Sequence, residues 1–176
     1  MMSFRDAVLS TFPVPGVLAP VSGGIDISSG SVKAGVLEEK GGSARVKSFS
    51  EIALPQETIR GGDIERMDAL VEILRSLRLR HNIRAAHACL PERKAFIYEM
   101  LVPKSASSLV AGIEYEFESN VPLPPAEALY DFRVVRETEG GTVVAVTAYA
   151  RRVVNSYREA FQKAGIGLLS LEAESD

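Results

Sequence analysis

Gly24-Ile25-Asp26-Ile27-Ser28-Ser29-Gly30-Ser31-Val32-Lys33 decides how the rest of this chain is read. An alternating apolar strand runs into Asp26, a tight group of small residues follows, and alternation resumes near Val32. Small side chains let backbone N–H groups come close to an anion, and a carboxylate beside them can hold a hydrated Mg²⁺. The stretch therefore has the chemistry of a nucleotide-phosphate hairpin. Taken alone, it is more simply an ordinary Ser/Gly turn. The surrounding chain shifts that balance.

At 176 residues the chain can bury one sizeable core or two small ones. Apolar and charged contents are ordinary, so neither a disordered nor a fibrous class is indicated. A net charge of −3 argues against a nucleic-acid binder, which carries a basic surplus. Arg75, Arg78 and Arg80 alternate with apolar residues and read as a solvated helix face. The single cysteine, Cys89, allows no disulfide framework and reads as a small buried hydrophobe in Ala85-Ala86-His87-Ala88-Cys89-Leu90. That usage fits a reducing compartment, and a cytoplasmic location is expected.

Between Ala7 and Ile25 no residue is charged, but Pro13, Pro15, Gly16 and Pro20 prevent a membrane-spanning helix. Pro13 also interrupts the apolar run before a signal-peptide core forms. Residues 1–19 are read as a leader with Phe4, Ala7, Val8 and Phe12 at helical spacing, continuing into a Pro-rich arm.

Beyond it, 24–28, 32–38 and 44–54 alternate as three strands, with a Lys40-Gly41-Gly42-Ser43 turn between the last two. Gly61-Gly62 ends a loop, and Asp63 is expected to cap a helix carrying Met67, Leu70, Val71, Leu74 and Leu77, which stops near His81-Asn82. A fourth strand, 84–90, ends at Pro91, giving a β-β-β-α-β unit of ribonuclease-H-like pattern. A second unit follows in the order β-α-β-β-α. It has a strand at 94–102, a helix capped by Ser105, a hairpin around Gly140-Gly141, and a last helix from Arg151 to Gly165 that buries Val154, Tyr157, Phe161 and Ala164. A strand at 168–172 leaves it.

Four segments together resemble the type IV pilus assembly protein PilM family, of actin-like ATPase fold and related to FtsA. They are the opening hairpin, Ala88-Cys89-Leu90-Pro91, the stretch from Ile113 to Leu123 with Tyr130-Asp131-Phe132, and Tyr157 to Ile166 with Leu171-Glu172. The leader segment Phe12-Pro13-Val14-Pro15 is similar to the start of some members, so the resemblance runs from about Phe12 to the C-terminus. It implies an α+β half-fold, with subdomain 1A at 20–90 plus a return strand at 168–176, and a βαββα subdomain 1C inserted at 91–167. It also implies a cytoplasmic scaffold, peripheral to the inner membrane through its partners in the pilus assembly platform. In such a scaffold the N-terminal tail of a PilN-like inner-membrane protein lies in a groove between 1A and 1C. Val102, Leu109 and Phe117 are the nearest candidates for that groove, although plain core is the simpler reading of each.

The resemblance further implies ATP and Mg²⁺. Asp26 is then the carboxylate near Mg²⁺, acting through water, and Ser28, Ser29 and Ser31 face phosphate with Lys33 pairing to it. Two departures matter. Where many members have Asp-x-Gly this chain has Asp26-Ile27-Ser28, which adds a Cβ at the phosphate's approach that Gly30 offsets only in part. The family continues into a second half with another phosphate hairpin and the adenine pocket, whereas this sequence ends at Ser175-Asp176. ATP binding is therefore expected only with the second half supplied, and an uncovered sheet is expected to drive self-association.

His81 and His87 are isolated and read as structural, His81 as a partner of the helix dipole. Glu114, Glu116 and Glu118 scatter around a helix and read as solvated. No nucleophile elbow, Walker loop or dinucleotide fingerprint occurs, so catalysis is not expected. The alternatives are an FtsA-like or type II secretion scaffold of the same fold, and the N-terminal half of an actin-fold small-molecule kinase.

Overall fold

The computed structural model describes residues 22–40 and 43–173. The leader, the Gly41-Gly42 turn and the end of the return segment lie outside the described residues.

The alternation around the opening hairpin forms β1 (Ser22–Ile27) and β2 (Ser31–Lys40), paired antiparallel with Asp26 opposite Lys33 and Ile27 opposite Val32. β3 (Ser43–Ala53) continues the meander. The helix α1 (Met67–His81) then carries the chain across to β6 (Ala85–Leu90), which lies parallel to β1. Between β3 and α1, the pieces β4 (Ile59–Arg60) and β5 (Asp63–Ile64) form a two-residue ladder turned by Gly61-Gly62. Both glycines have positive φ, at 56° and 89°, as a tight turn of this kind requires.

After β6 the chain leaves for β7 (Ala95–Pro103), α2 (Leu109–Asn120), β8 (Ala128–Thr138) and β9 (Gly141–Ala150). It returns through α3 (Arg151–Ala164) to β10 (Gly167–Ala173), parallel to β6. The main sheet has the order β10-β6-β1-β2-β3 and the insert forms a sheet β7-β9-β8. This mixed topology, strands one to three antiparallel and the next two parallel, is the α+β half-fold expected from the sequence.

Both crossovers, β3 to β6 and β6 to β10, step in the same direction, so right-handed connection places α1 and α3 on one face. There Ile25, Ile27, Val32, Ala34 and Val36 meet Leu70, Leu74 and Leu77 of α1 and Tyr157 and Phe161 of α3. Arg75 ties the two helices by donating to the Lys163 carbonyl at 2.8 Å. The opposite face, with Gly24, Asp26, Lys33 and Gly35, carries no helix among the described residues.

The insert has its own core, in which Phe117 and Ile113 of α2 pack on Val102, Val144, Val146 and Ala148. Gly112 allows the close approach, because a Cβ there would lie 2.4 Å from Val102 Cγ1. Val102 and Phe117, both almost fully buried, are core, and Leu109 packs against the same cluster.

Three sequence expectations differ from the structure. The last helix, grouped with the insert, joins the larger core through Val153, Tyr157, Ala160, Phe161 and Ala164, with Val154 only partly buried. Its task is the crossover to β10, so the unit standing apart is β7-α2-β8-β9. Asp63 does not cap α1, which begins at Met67 after Arg66; cations from two other elements engage it instead. Ser108, not Ser105, caps α2, its Oγ accepting from the Ala111 N–H at 3.1 Å.

Candidate functional site

The hairpin tip is closed by its own serine. Ser28 N–H donates to the Ser31 carbonyl at 2.9 Å, and Ser28 Oγ donates to that carbonyl at 3.0 Å. The same hydroxyl accepts from the Ser31 and Gly30 amides at 3.1 and 3.4 Å. Two backbone N–H groups that a phosphate would use therefore already have an acceptor supplied by the residue that replaces the expected glycine. Phosphate contact through them requires this hydroxyl to turn away.

The six predicted site residues divide between places. Ser28 and Ser29 line a cleft of about 570 Å³ together with Gly61, Gly62, Pro91, Glu92 and Arg93. Arg93 supplies a cation there that sequence reasoning missed; its only signal was its place just past the Pro91 that ends a parallel strand. Asp26 and Lys33 instead pair with each other at 3.5 Å on the helix-free face of the sheet. They border a second, shallower cleft with Gly35, Phe49, His87, Cys89 and Glu172. Ser31 Oγ donates to Glu51 Oε1 at 2.7 Å. Gly30 is exposed at the tip and its φ is not positive. Asp26 remains accessible for a water-mediated cation, but Lys33 already answers its charge.

The other singled-out residues are structural. His81 Nδ1 and Nε2 lie 2.8 and 2.9 Å from the hydroxyls of Ser48 and Ser50, which fastens the end of α1 to β3. His87 Nδ1 lies 2.8 Å from Ser170 Oγ. Cys89 is half-buried rather than buried. Glu114, Glu116 and Glu118 are exposed. Among the described residues no three His, Cys, Asp or Glu side chains converge as a metal site.

Asp63 joins several elements. Its carboxylate accepts from Lys94 Nζ and, at 3.0 Å, from Arg152 Nη1. The Lys94 hydrogen bond chiefly holds its pKa below the ordinary carboxylate value, against the opposing effect of partial burial. Behind it, Tyr157 donates to the Gly62 carbonyl at 3.2 Å, and burial pushes that phenol upward so that it stays neutral.

A third cleft, of about 210 Å³, lies where the insert meets the main sheet. Leu129, Tyr130, Asp131, Thr147 and Tyr149 form the insert side; Leu90, Val154, Leu171, Glu172 and Ala173 form the other. Its floor is apolar and its charged rim is Asp131 and Glu172. These residues come from four separated strands and the start of α3, so periodicity alone had no means of grouping them.

Comparison with known proteins agrees with this fold. A family model described as type IV pilus assembly protein PilM matches residues 24–175. A solved PilM–PilN type IV pilus biogenesis complex is similar at a TM-score of 0.76 and 20% identity, covering 88% of this chain and 48% of that one. The cytoplasmic domain of EpsL, an inner-membrane component of the type II secretion system of Vibrio cholerae, is similar at a TM-score of 0.61 and 12% identity, over 86% of this chain and 56% of that one. This chain thus spans about half the length of the solved relatives it matches. The search of curated proteins gave no match. No described helix is long and apolar enough to cross a membrane.

Proposed function

Because the chain belongs to the type IV pilus assembly protein PilM family, matched over residues 24–175, we propose that it serves as a scaffold in type IV pilus assembly. In this reading the cleft between the insert and the main sheet takes the N-terminal tail of a PilN-like inner-membrane protein. The observation that carries it is the cleft itself, with an apolar floor built from both units. The likeness to a solved PilM–PilN complex supports the choice of partner. Attachment to the inner membrane and to the rest of the assembly platform then runs through that partner.

Nucleotide has a conditional place. Ser28, Ser29, the Gly61-Gly62 turn and Arg93 provide one wall for phosphate, and ATP with Mg²⁺ would supply a charge-dense ligand there once a second half closes over it. The chain is read as a scaffold on the strength of its family. A type II secretion role is the second reading, favoured by the EpsL likeness in fold.

Titration of a fluorescent peptide copying the tail of a PilN-like protein, with and without Mg-ATP, tests the proposal. Saturable binding in both conditions is expected. A folded sample that binds in neither, or that binds only a type II secretion tail, rejects it.

A further inference from the structure

We infer that Asp63 is a positioning residue that holds the β7-α2-β8-β9 unit in one orientation on the main sheet and thereby sets the width of the cleft between them. The chain crosses between the two units twice, outward at 91–94 and back at 150–152. Asp63 holds both crossings at once, one carboxylate oxygen to each: Oδ2 to Lys94 on the way out, Oδ1 to Arg152 on the way back. A carboxylate committed through both oxygens to cations on separate connections acts as a cross-brace, since charge-assisted hydrogen bonds are strong and directional.

The brace is anchored. Asp63 is paired with Arg60 in the β4–β5 ladder, and the carbonyl of the adjacent Gly62 is held by the buried Tyr157 hydroxyl. There is no slack beside it, because a Cβ on Gly62 would fall 2.7 Å from Lys94 Cγ. Apolar packing of Ala95, Tyr149 and Ala150 on the larger core locates the base of the insert. Such contacts are non-directional, so the tilt falls to directional polar ties, the Asp63 brace and the Arg151 guanidinium, which donates to the Ala126 and Ala128 carbonyls at 3.1 Å. The cleft takes one wall from each unit, Leu129 belonging to the insert's wall and Leu171 to the main sheet's, and a tilt at the two crossings changes their separation. Only the use of that cleft for a peptide rests on the proposed function; the orientation does not.

The test is a pulsed dipolar distance measurement on the full chain with Cys89→Ser, nitroxides being attached at Ser76→Cys on α1 and Glu118→Cys on α2. With Asp63 present a single narrow distance is expected. Asp63→Asn is expected to at least double its width, and Lys94→Gln or Arg152→Gln to widen it partway. An Asp63→Asn chain that melts cooperatively and keeps the parent width overturns the inference. Should that variant fail to fold, Arg152→Gln decides, since its side chain is 71% exposed: unchanged width overturns, broadening supports. In parallel, the tail peptide is expected to bind Asp63→Asn roughly tenfold more weakly than the parent, a loss of about 1.4 kcal/mol. Failure of the unsubstituted chain to bind it counts against the proposed function, while the distances still decide the role of Asp63.

Discussion

At the scale of single residues, Ser28 and Asp63 show how one side chain changes what a given backbone shape can do. Ser28 stabilises its own turn, its hydroxyl accepting from the Ser31 and Gly30 amides that the proposed phosphate would have to use. Ser28→Gly is therefore expected to bind pyrophosphate with Mg²⁺ several-fold more tightly by calorimetry. It is also expected to lose about 1–2 kcal/mol of stability in urea, the worth of one or two modest hydrogen bonds. Asp63 gives a pH signature. Lys94 foremost, with Arg152, holds its pKa below 3.8 in the folded chain, so its ionised form adds stability above the unfolded value. That contribution is lost as pH falls through the lower, folded value. The difference in urea midpoint between the parent and Asp63→Asn is expected to hold steady from neutrality to about pH 5 and to shrink below 3.8.

At the scale of elements, most of the order was legible because period and punctuation agreed. Alternation marked β1 and β2, the Gly140-Gly141 pair marked the β8–β9 hairpin, and Asn82 and Gly165, both in the left-handed region, closed α1 and α3 where the sequence placed their ends. What escaped was decided by partners distant in sequence. An aspartate shortly before a helix reads as a cap until Lys94 and Arg152 arrive from other elements. The amphipathic face of α3 said that it was buried, without saying against which sheet. The lining of the cleft between insert and main sheet was illegible because its walls meet only after both sheets have formed, while the hairpin was found at once because it is contiguous. The insert offers a local check. Gly112→Val forces branched atoms into Val102, with an expected cost of about 1–3 kcal/mol and faster hydrogen exchange confined mainly to α2 and β7.

At the scale of the whole molecule, α1 and α3 cover one face of the main sheet and leave its other face without a helix among the described residues. Leu37, Val46 and Phe49 stand 64%, 68% and 61% exposed on the β2–β3 pair, an apolar surface that favours association. Sedimentation is expected to show mass rising with concentration, and Val46→Lys with Phe49→Lys to reduce that rise. The central claim, however, is that the cleft between insert and main sheet receives the tail of a PilN-like protein. Its most direct test is NMR shift mapping of the isotope-labelled chain during titration with that peptide. Perturbations are expected to gather at Leu90, Leu129 to Asp131, Thr147 to Tyr149 and Leu171 to Ala173, and to saturate. Saturating shifts that gather instead around Phe49 and Lys33 on the helix-free face, or no shifts from a folded chain, would contradict it.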